Sequence, residues 1–365
     1  VSQGRHLSQL TGIAMSGAAL MLAHQVAGKA ARDGLFLSRY PVSDLPKIVL
    51  AAAILAVLLG WAFSHLLTRF SPRRVVPVAV LVSGLLQFTE WTFLSRYPDI
   101  VVVIVYLHIV GFGAVLLSGF WSVANEAFDP REAKARFGRI AGMGTVGGIS
   151  GGLLAERVVA YFDATSILLL LAILHILAAA LLFTLRKLTR EHHQSLNIPE
   201  NSSAREAFQK APFLWSLATL VLLGTTSAAL LDYLFKSGAS LEFGKGQSLV
   251  RFFAMFYTGS QVLTFLVQTI ITRFSLEKLG LARTVMSLPV AIVAGSIGRL
   301  MFPTFPMIAG VRSLELILRG SLFRSGYELF YTPIPAQDKR SVKTIIDVGF
   351  DRLREFFKCC SCLDQ

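Results

Sequence analysis

The fold class predicted is an all-α polytopic membrane protein, and three observations predict it. Of 365 residues, 54% are hydrophobic and only 16% charged, with mean hydropathy +0.60; that is too little polar material to coat a soluble particle of this length. Apolar stretches recur at about the 20 residues that a helix needs to cross a hydrocarbon core roughly 30 Å thick. These runs are continuous rather than alternating, and about twice as long as a strand of an outer-membrane barrel.

Ten segments meet this description: 9–28, 48–68, 75–95, 100–124, 140–161, 165–185, 213–235, 250–272, 280–302 and 305–330. The first is too long for a cleaved leader and runs into a charged, patterned stretch rather than a small-residue cleavage site, so it counts as a spanning helix. Arg69, Arg73 and Arg74 separate the second from the third, and the cation-poor Arg96–Asp99 connection separates the third from the fourth. Arg131, Lys134, Arg136 and Arg139 precede the fifth, which carries Gly144, Gly148 and Gly152 at every fourth position. Small residues so spaced let two helix backbones approach closely. Gly142, Gly144 and Gly147 also spell GxGxxG, but no strand precedes them, and the phosphate-cradling motif needs one. The sixth is the cleanest, Ile167–Leu185 having no formal charge. Arg273, Lys278 and Arg283 lie between the eighth and ninth, and the cation-poor Phe302–Phe305 between the ninth and tenth.

The net charge of +13 does not point to nucleic acid, because the cations punctuate the gaps between apolar segments instead of forming one basic face. Every second gap is the basic one, which places those gaps and the N-terminus in the cytoplasm. Cys359, Cys360 and Cys362 crowd the end, which is no disulfide framework; free thiols are the expected reading, with acylation beside a membrane or metal binding as the alternatives. The sequon at Asn201 would lie inside the cell and is disregarded. Asp129 and Pro130 form the start of a short helix.

Two halves of the chain echo one another. Asp33, Gly34, Leu35, Phe36, Leu37, Ser38 ends the first segment and Asp232, Tyr233, Leu234, Phe235, Lys236, Ser237 ends the seventh. Ser118–Phe120 and Ser325–Tyr327 repeat likewise in segments four and ten. Internal duplication among membrane-length segments is how many transporters are built, with the solute site where the halves meet. The expected organisation is an N-terminal six-helix bundle over 1–190, a cytoplasmic linker over 191–211 and a C-terminal bundle over 212–365 that stops two helices short of six.

Ionisable residues at membrane depth are the strongest functional signal, since each costs about 2.5–3.5 kcal/mol on insertion scales unless it faces protein or water. Lys29 and Asp33 are four apart, as are Asp232 and Lys236, so each repeat sets an acid and a base on one helical face, with Arg32 beside the first pair. In segment ten Arg312, Glu315 and Arg319 share a face, and Arg324 and Glu328 share another. Segment eight shows a polar stripe of Tyr257, Gln261, Thr264 and Gln268 that could line a cavity or bond helices together. His24, His108 and His175 lie in apolar segments, where a proton relay is conceivable and hydrogen-bonded packing is commoner. No HExxH pattern is present, and no enzyme or cofactor is expected.

Lys29–Ser38 with Leu45, Pro46 and Lys47, Phe120–Asn125 with Glu132–Lys134, Leu231–Ser237, and Glu328–Pro335 with Lys343, Ile346 and Asp347 together resemble the ATP/ADP antiporter family of nucleotide transporters, relatives of the major facilitator superfamily. The resemblance implies a major-facilitator-like fold of twelve helices in two bundles and exchange of nucleotides by alternating access. It implies solute-binding roles for Arg32 with Asp33, and for Asp232 with Lys236. Two positions depart from the pattern: Ile109 stands where an acid is expected, and Tyr327 where a lysine is. Some relatives add soluble regulatory modules after the bundle.

The function expected is transport of an anionic solute, a nucleotide such as ATP/ADP or a related phosphorylated metabolite, across the inner (plasma) membrane of a bacterium. Lys29, Arg32, Asp33, Asp232, Lys236, Arg319 and Glu328 are the expected binding residues, and Tyr257, Gln261, Gln268 and Tyr327 line the cavity. The alternative is a non-transporting sensor or anchoring module, or a carrier of another solute.

Overall fold

A computed structural model describes residues 2–128, 130–189 and 213–330. The linker at 191–211, the Asp129 cap, the sequon, Lys343–Asp347 and the cysteine-rich end lie outside the described residues. All ten expected segments are helices: α1 (Ser2–Arg39), α2 (Leu45–Arg69), α3 (Pro72–Leu94), α4 (Pro98–Ala127), α5 (Pro130–Tyr161), α6 (Ser166–Leu188), α7 (Phe213–Phe243), α8 from Gln247–Leu266, α9 (Gly280–Met301) and α10 from Phe305–Leu318. Two of them change pitch. α8 passes through a π-helical turn at Val267–Ile271 into Thr272–Lys278, and α10 through a second at Arg319–Phe323 into Arg324–Phe330.

Local chemistry sets the starts and stops. Proline lies in the first turn of α2, α3, α4 and α10, where its fixed φ suits the helix and its missing N–H leaves no orphan donor. The Ser71 hydroxyl accepts from the Arg73 backbone N–H at the start of α3. Gly280, at φ +78°, makes the left-handed corner between Lys278 and α9 that a side chain would strain.

Eight of the ten are long and apolar enough to cross a bilayer. The others are α5, rich in glycine, and α10, interrupted by its π turn and its charges. Large apolar side chains stand on the helix surfaces, Trp61 at 72% and Leu300 at 83% exposure among them, a surface suited to hydrocarbon rather than water.

The described helices form two compact units. One holds α1, α2 from Ala51, α3 to α6, and α8 as far as Gln261; the other holds the start of α2, α7, α8 beyond Gln261, α9 and α10. In the first unit, Ala14 and Ala18 of α1, Val76 and Val80 of α3, Leu116 and Phe120 of α4, and Ala178 and Leu182 of α6 share one buried core. In the second, Leu214 and Leu217 of α7 meet Val285 and Leu288 of α9 and Phe323 of α10.

Glycines bring α5 against α1, as the sequence predicts; the closest approaches to the α1 backbone are at Gly147 and Gly151, while in the predicted row Gly148 meets Val26 of α1 and Gly152 meets the Thr258 side chain of α8. A Cβ on Gly147 would stand 2.2 Å from the Ala19 carbonyl oxygen, and one on Gly151 would stand 2.4 Å from the Ala23 Cα. At Gly144 the nearest atom is 3.5 Å away on the flexible Leu22 side chain. The expected result is that Gly147→Ala destabilises the protein by about 1–3 kcal/mol through overpacking against backbone. Gly144→Ala should unfold with the wild type. Thermal unfolding in detergent compares the two.

Candidate functional site

The ionisable residues of the two repeats are built into two clusters, one in each unit. In the first, Asp33 of α1 is fully buried and both its oxygens are used. Arg32 donates from Nε to Oδ1 at 2.8 Å and from Nη2 to Oδ2 at 3.0 Å, and the Tyr257 hydroxyl of α8 donates to Oδ2 at 2.7 Å. Neighbours in a helix point about 100° apart, so Arg32 reaches Asp33 only by folding its long stem back. That geometry is the two-pronged guanidinium–carboxylate contact, the strongest form of ion pair. The guanidinium also lies 5.1 Å from the Tyr106 ring of α4, which meets Phe36 edge-on, a placement that adds cation–π attraction. Some 18% of the Arg32 side chain stays exposed. Lys29, a turn earlier, is exposed, and Gln261, a turn after Tyr257, is half-buried.

In the second unit the charges alternate along a chain. The Lys236 ammonium donates to Asp232 Oδ2 at 2.7 Å, and Arg312 Nη2 donates to Asp232 Oδ1 at 2.8 Å. Arg312 Nη1 donates to Glu315 Oε2, and Arg319 Nε donates to Glu315 Oε1. Arg319 Nη2 reaches into α7 to the Gly224 carbonyl at 2.7 Å. Lys236 and Glu315 are buried, while the Arg319 side chain, last in the chain, is 28% exposed. Lys236, Arg312 and Arg319 thus meet Asp232 and Glu315 in one alternating row.

Arg319 also opens the π turn, and a Cβ on Gly320 would stand 2.7 Å from the Thr264 side chain. Local π geometry in a membrane helix is a frequent mark of a working site.

Other predicted site residues fall apart from these pairs. Tyr327 is buried in the second unit's core and stacks on Phe323 at 5.8 Å. Gln268 is exposed on the π turn of α8. The side chain of Glu328 lies outside the described residues. Sequence reasoning missed Tyr106, which carries no signal beyond being aromatic, and did not count Arg312 and Glu315 among the binding residues although their spacing showed a shared face. Among the described residues no group of acidic, histidine or cysteine side chains could hold a metal ion.

Ten helices, eight of them long and apolar enough to cross a bilayer, with ion pairs buried among them define a polytopic membrane protein. The family model described as Major Facilitator Superfamily matches residues 8–334, and the chain belongs to that family; it is a membrane transporter of that type. No curated protein matches its sequence. Its fold is similar to that of PepTSo, a POT family transporter, at TM-score 0.66 and 13% identity over 97% of this chain and 89% of that one. It is also similar to a bacterial homologue of the iron transporter ferroportin in an inward-facing state, at TM-score 0.65 and 16% identity over 96% and 91%. The nucleoside transporter NupG is similar at TM-score 0.62 and 16% identity over 96% and 88%. Their solutes differ widely, so the likeness concerns the fold.

Proposed function

We propose that the protein exchanges an anionic solute, a nucleotide such as ATP/ADP or a related phosphorylated metabolite, by alternating access of an N-terminal bundle (1–190) and a C-terminal bundle (212–365). The single observation that carries this is the α7–α10 charge chain, which ends in Arg319 with 28% of its side chain exposed. A phosphate offers Arg319 a second, stronger acceptor in two-pronged geometry and competes with Glu315 for it. Lys236 would contact the same anion, with Asp232 and Glu328 balancing the cations when no solute is bound. Lys29 and Arg32 with Asp33 are their counterparts in the first repeat, and Tyr257, Gln261 and Gln268 line the route. The resemblance to ATP/ADP antiporters around Lys29–Ser38 and Leu231–Ser237 supports a nucleotide. A bacterial inner membrane with a cytoplasmic N-terminus, and a carrier rather than an enzyme, belong to the same proposal.

Ligand-induced stabilisation in detergent tests the anion preference. A ligand at about 100 times its Kd adds about 2.7 kcal/mol to the folded state, so ATP or ADP should raise the unfolding temperature by several degrees. Adenosine should not, and Arg319→Gln should abolish the effect. Equal stabilisation by adenosine, or a full ATP effect in the Arg319 variant, would contradict the proposal.

A further inference from the structure

The first unit also contains a buried polar cluster that the anion chemistry does not use. Glu90 of α3 is 7% exposed, and its only ion-pair partner among the described residues is His108 of α4, whose Nδ1 lies 2.6 Å from Oε1. Its second oxygen, Oε2, is buried with no hydrogen-bond partner among the described residues. From His108 the contacts continue. Nε2 lies 2.8 Å from the Ser83 hydroxyl, which lies 3.0 Å from Nδ1 of His175 on α6. The His175 ring stacks on His24 of α1 with centroids 3.4 Å apart and planes 13° from parallel, and His24 Nε2 meets the Gln87 amide.

A structural role explains this poorly. An unpartnered carboxylate oxygen in an apolar bundle costs its full desolvation, and replacing the whole set by hydrocarbon would be cheaper. A lysine or arginine would satisfy Glu90, yet the other charged groups on the surrounding helices are engaged elsewhere or exposed. Arg32 of α1 is held by Asp33, Glu156 of α5 is held by Arg251, and Lys29 is exposed.

The row of hydrogen bonds has two complete settings. In one, Glu90 is a carboxylate that accepts from His108 Nδ1–H, Ser83 donates to His108 Nε2, and His175 Nδ1–H donates to Ser83. In the other, Glu90 is a carboxylic acid that donates to His108 Nδ1, His108 Nε2–H donates to Ser83, and Ser83 donates to His175 Nδ1. The second setting holds one proton more. A proton arriving at His175 Nε2 releases the Nδ1 proton to Ser83, the Ser83 proton passes to His108 Nε2, and the His108 Nδ1 proton passes to Glu90. Each O–H or N–H bond broken is matched by one formed, and the cluster's charge goes from minus one to zero.

We propose that Glu90, His108, Ser83 and His175 form a proton-binding site inside the first unit, with Glu90 as the terminal acceptor and Ser83 as the bridge of the relay. The ligand is a single proton, so the claim stands independently of which solute the protein carries. Its test needs no solute either.

Infrared difference spectroscopy on the purified full chain in liposomes, taken while pH is lowered through the range where histidines and buried carboxyls titrate, reads the C=O stretch of a protonated buried carboxyl. The expected result is a band that grows on acidification and is missing in Glu90→Gln. After a pH jump, Ser83→Ala should still develop the band, but roughly tenfold more slowly, the change in rate that follows from one lost bridging contact. A wild-type band that does not respond to pH overturns the proposal without any variant. Persistence of the band in Glu90→Gln overturns the assignment to Glu90, and an unchanged rate in Ser83→Ala overturns the relay.

Discussion

Glu315→Gln should lower the unfolding free energy by about 3–5 kcal/mol, because it breaks a buried ion pair and leaves charge behind without compensation. Glu315 is 1% exposed, and each of its oxygens serves a different guanidinium. A glutamine fills the same volume but is neutral, and its amide nitrogen can only donate towards one of two groups that also only donate. The cost falls unequally. Arg319 keeps the Gly224 carbonyl and is partly open, so it can turn outward, whereas the Arg312 side chain is only 11% exposed and keeps its contact with Asp232 of α7. Adding Arg312→Gln to the Glu315 variant should therefore cost much less than the sum of the two single changes, the non-additivity expected of groups in one network. Asp99→Asn breaks the exposed contact with Arg39 and should leave the unfolding midpoint where it was, as most surface pairs do. Denaturant unfolding in detergent measures all of these. Additive losses would show that Arg312 and Glu315 do not act as one unit.

Asp33→Asn should cost about 3 kcal/mol, somewhat less than the Glu315 change because Arg32 retains 18% exposure through which it can be solvated. The asparagine can still accept one hydrogen bond from Tyr257, but its amide nitrogen then confronts the Arg32 fork, donor to donor. Tyr257→Phe removes only the third contact to the carboxylate and leaves the two-pronged pair intact. That loss should be about 1–2 kcal/mol, the value of a hydrogen bond to a charged group. The order of the two variants in thermal unfolding is the discriminating outcome. A larger loss for Tyr257→Phe would mean that the tyrosine, not the arginine, is the main support of Asp33.

The helices were legible in the sequence because a bilayer demands long, unbroken apolar runs, and ten of these stand between groups of cations. Their ends were less so. The first helix runs Ser2–Arg39 rather than 9–28, because a helix does not stop where the hydrocarbon does and its charged last turns are held by Asp33, Tyr257 and Tyr106. The glycine spacing correctly indicated close packing of α5, but the contact row depends on which way the helix is rotated, and a four-residue period alone does not fix that.

Spacing placed Arg312, Glu315 and Arg319 on one face, since i, i+3 and i+7 are neighbours on any helix. The link from Arg312 to Asp232 joins residues 80 apart in sequence, and no local pattern announces it. The same limit hid the Glu90 cluster. The histidines stood out by lying in apolar segments, but Ser83, Gln87 and Glu90 are single polar letters of α3, and nothing local announces that they meet His24, His108 and His175.

Counterflow is the most direct measurement of the central claim, that the cationic chain ending in Arg319 serves the movement of an anionic solute. Proteoliposomes loaded with unlabelled ADP and diluted into labelled ATP should take up the label saturably, should do so far faster than liposomes without internal nucleotide, and should fail to do so when Arg319 is glutamine. Absence of saturable uptake for ATP and for every phosphorylated metabolite tried, or uptake undiminished in the Arg319 variant, would contradict it.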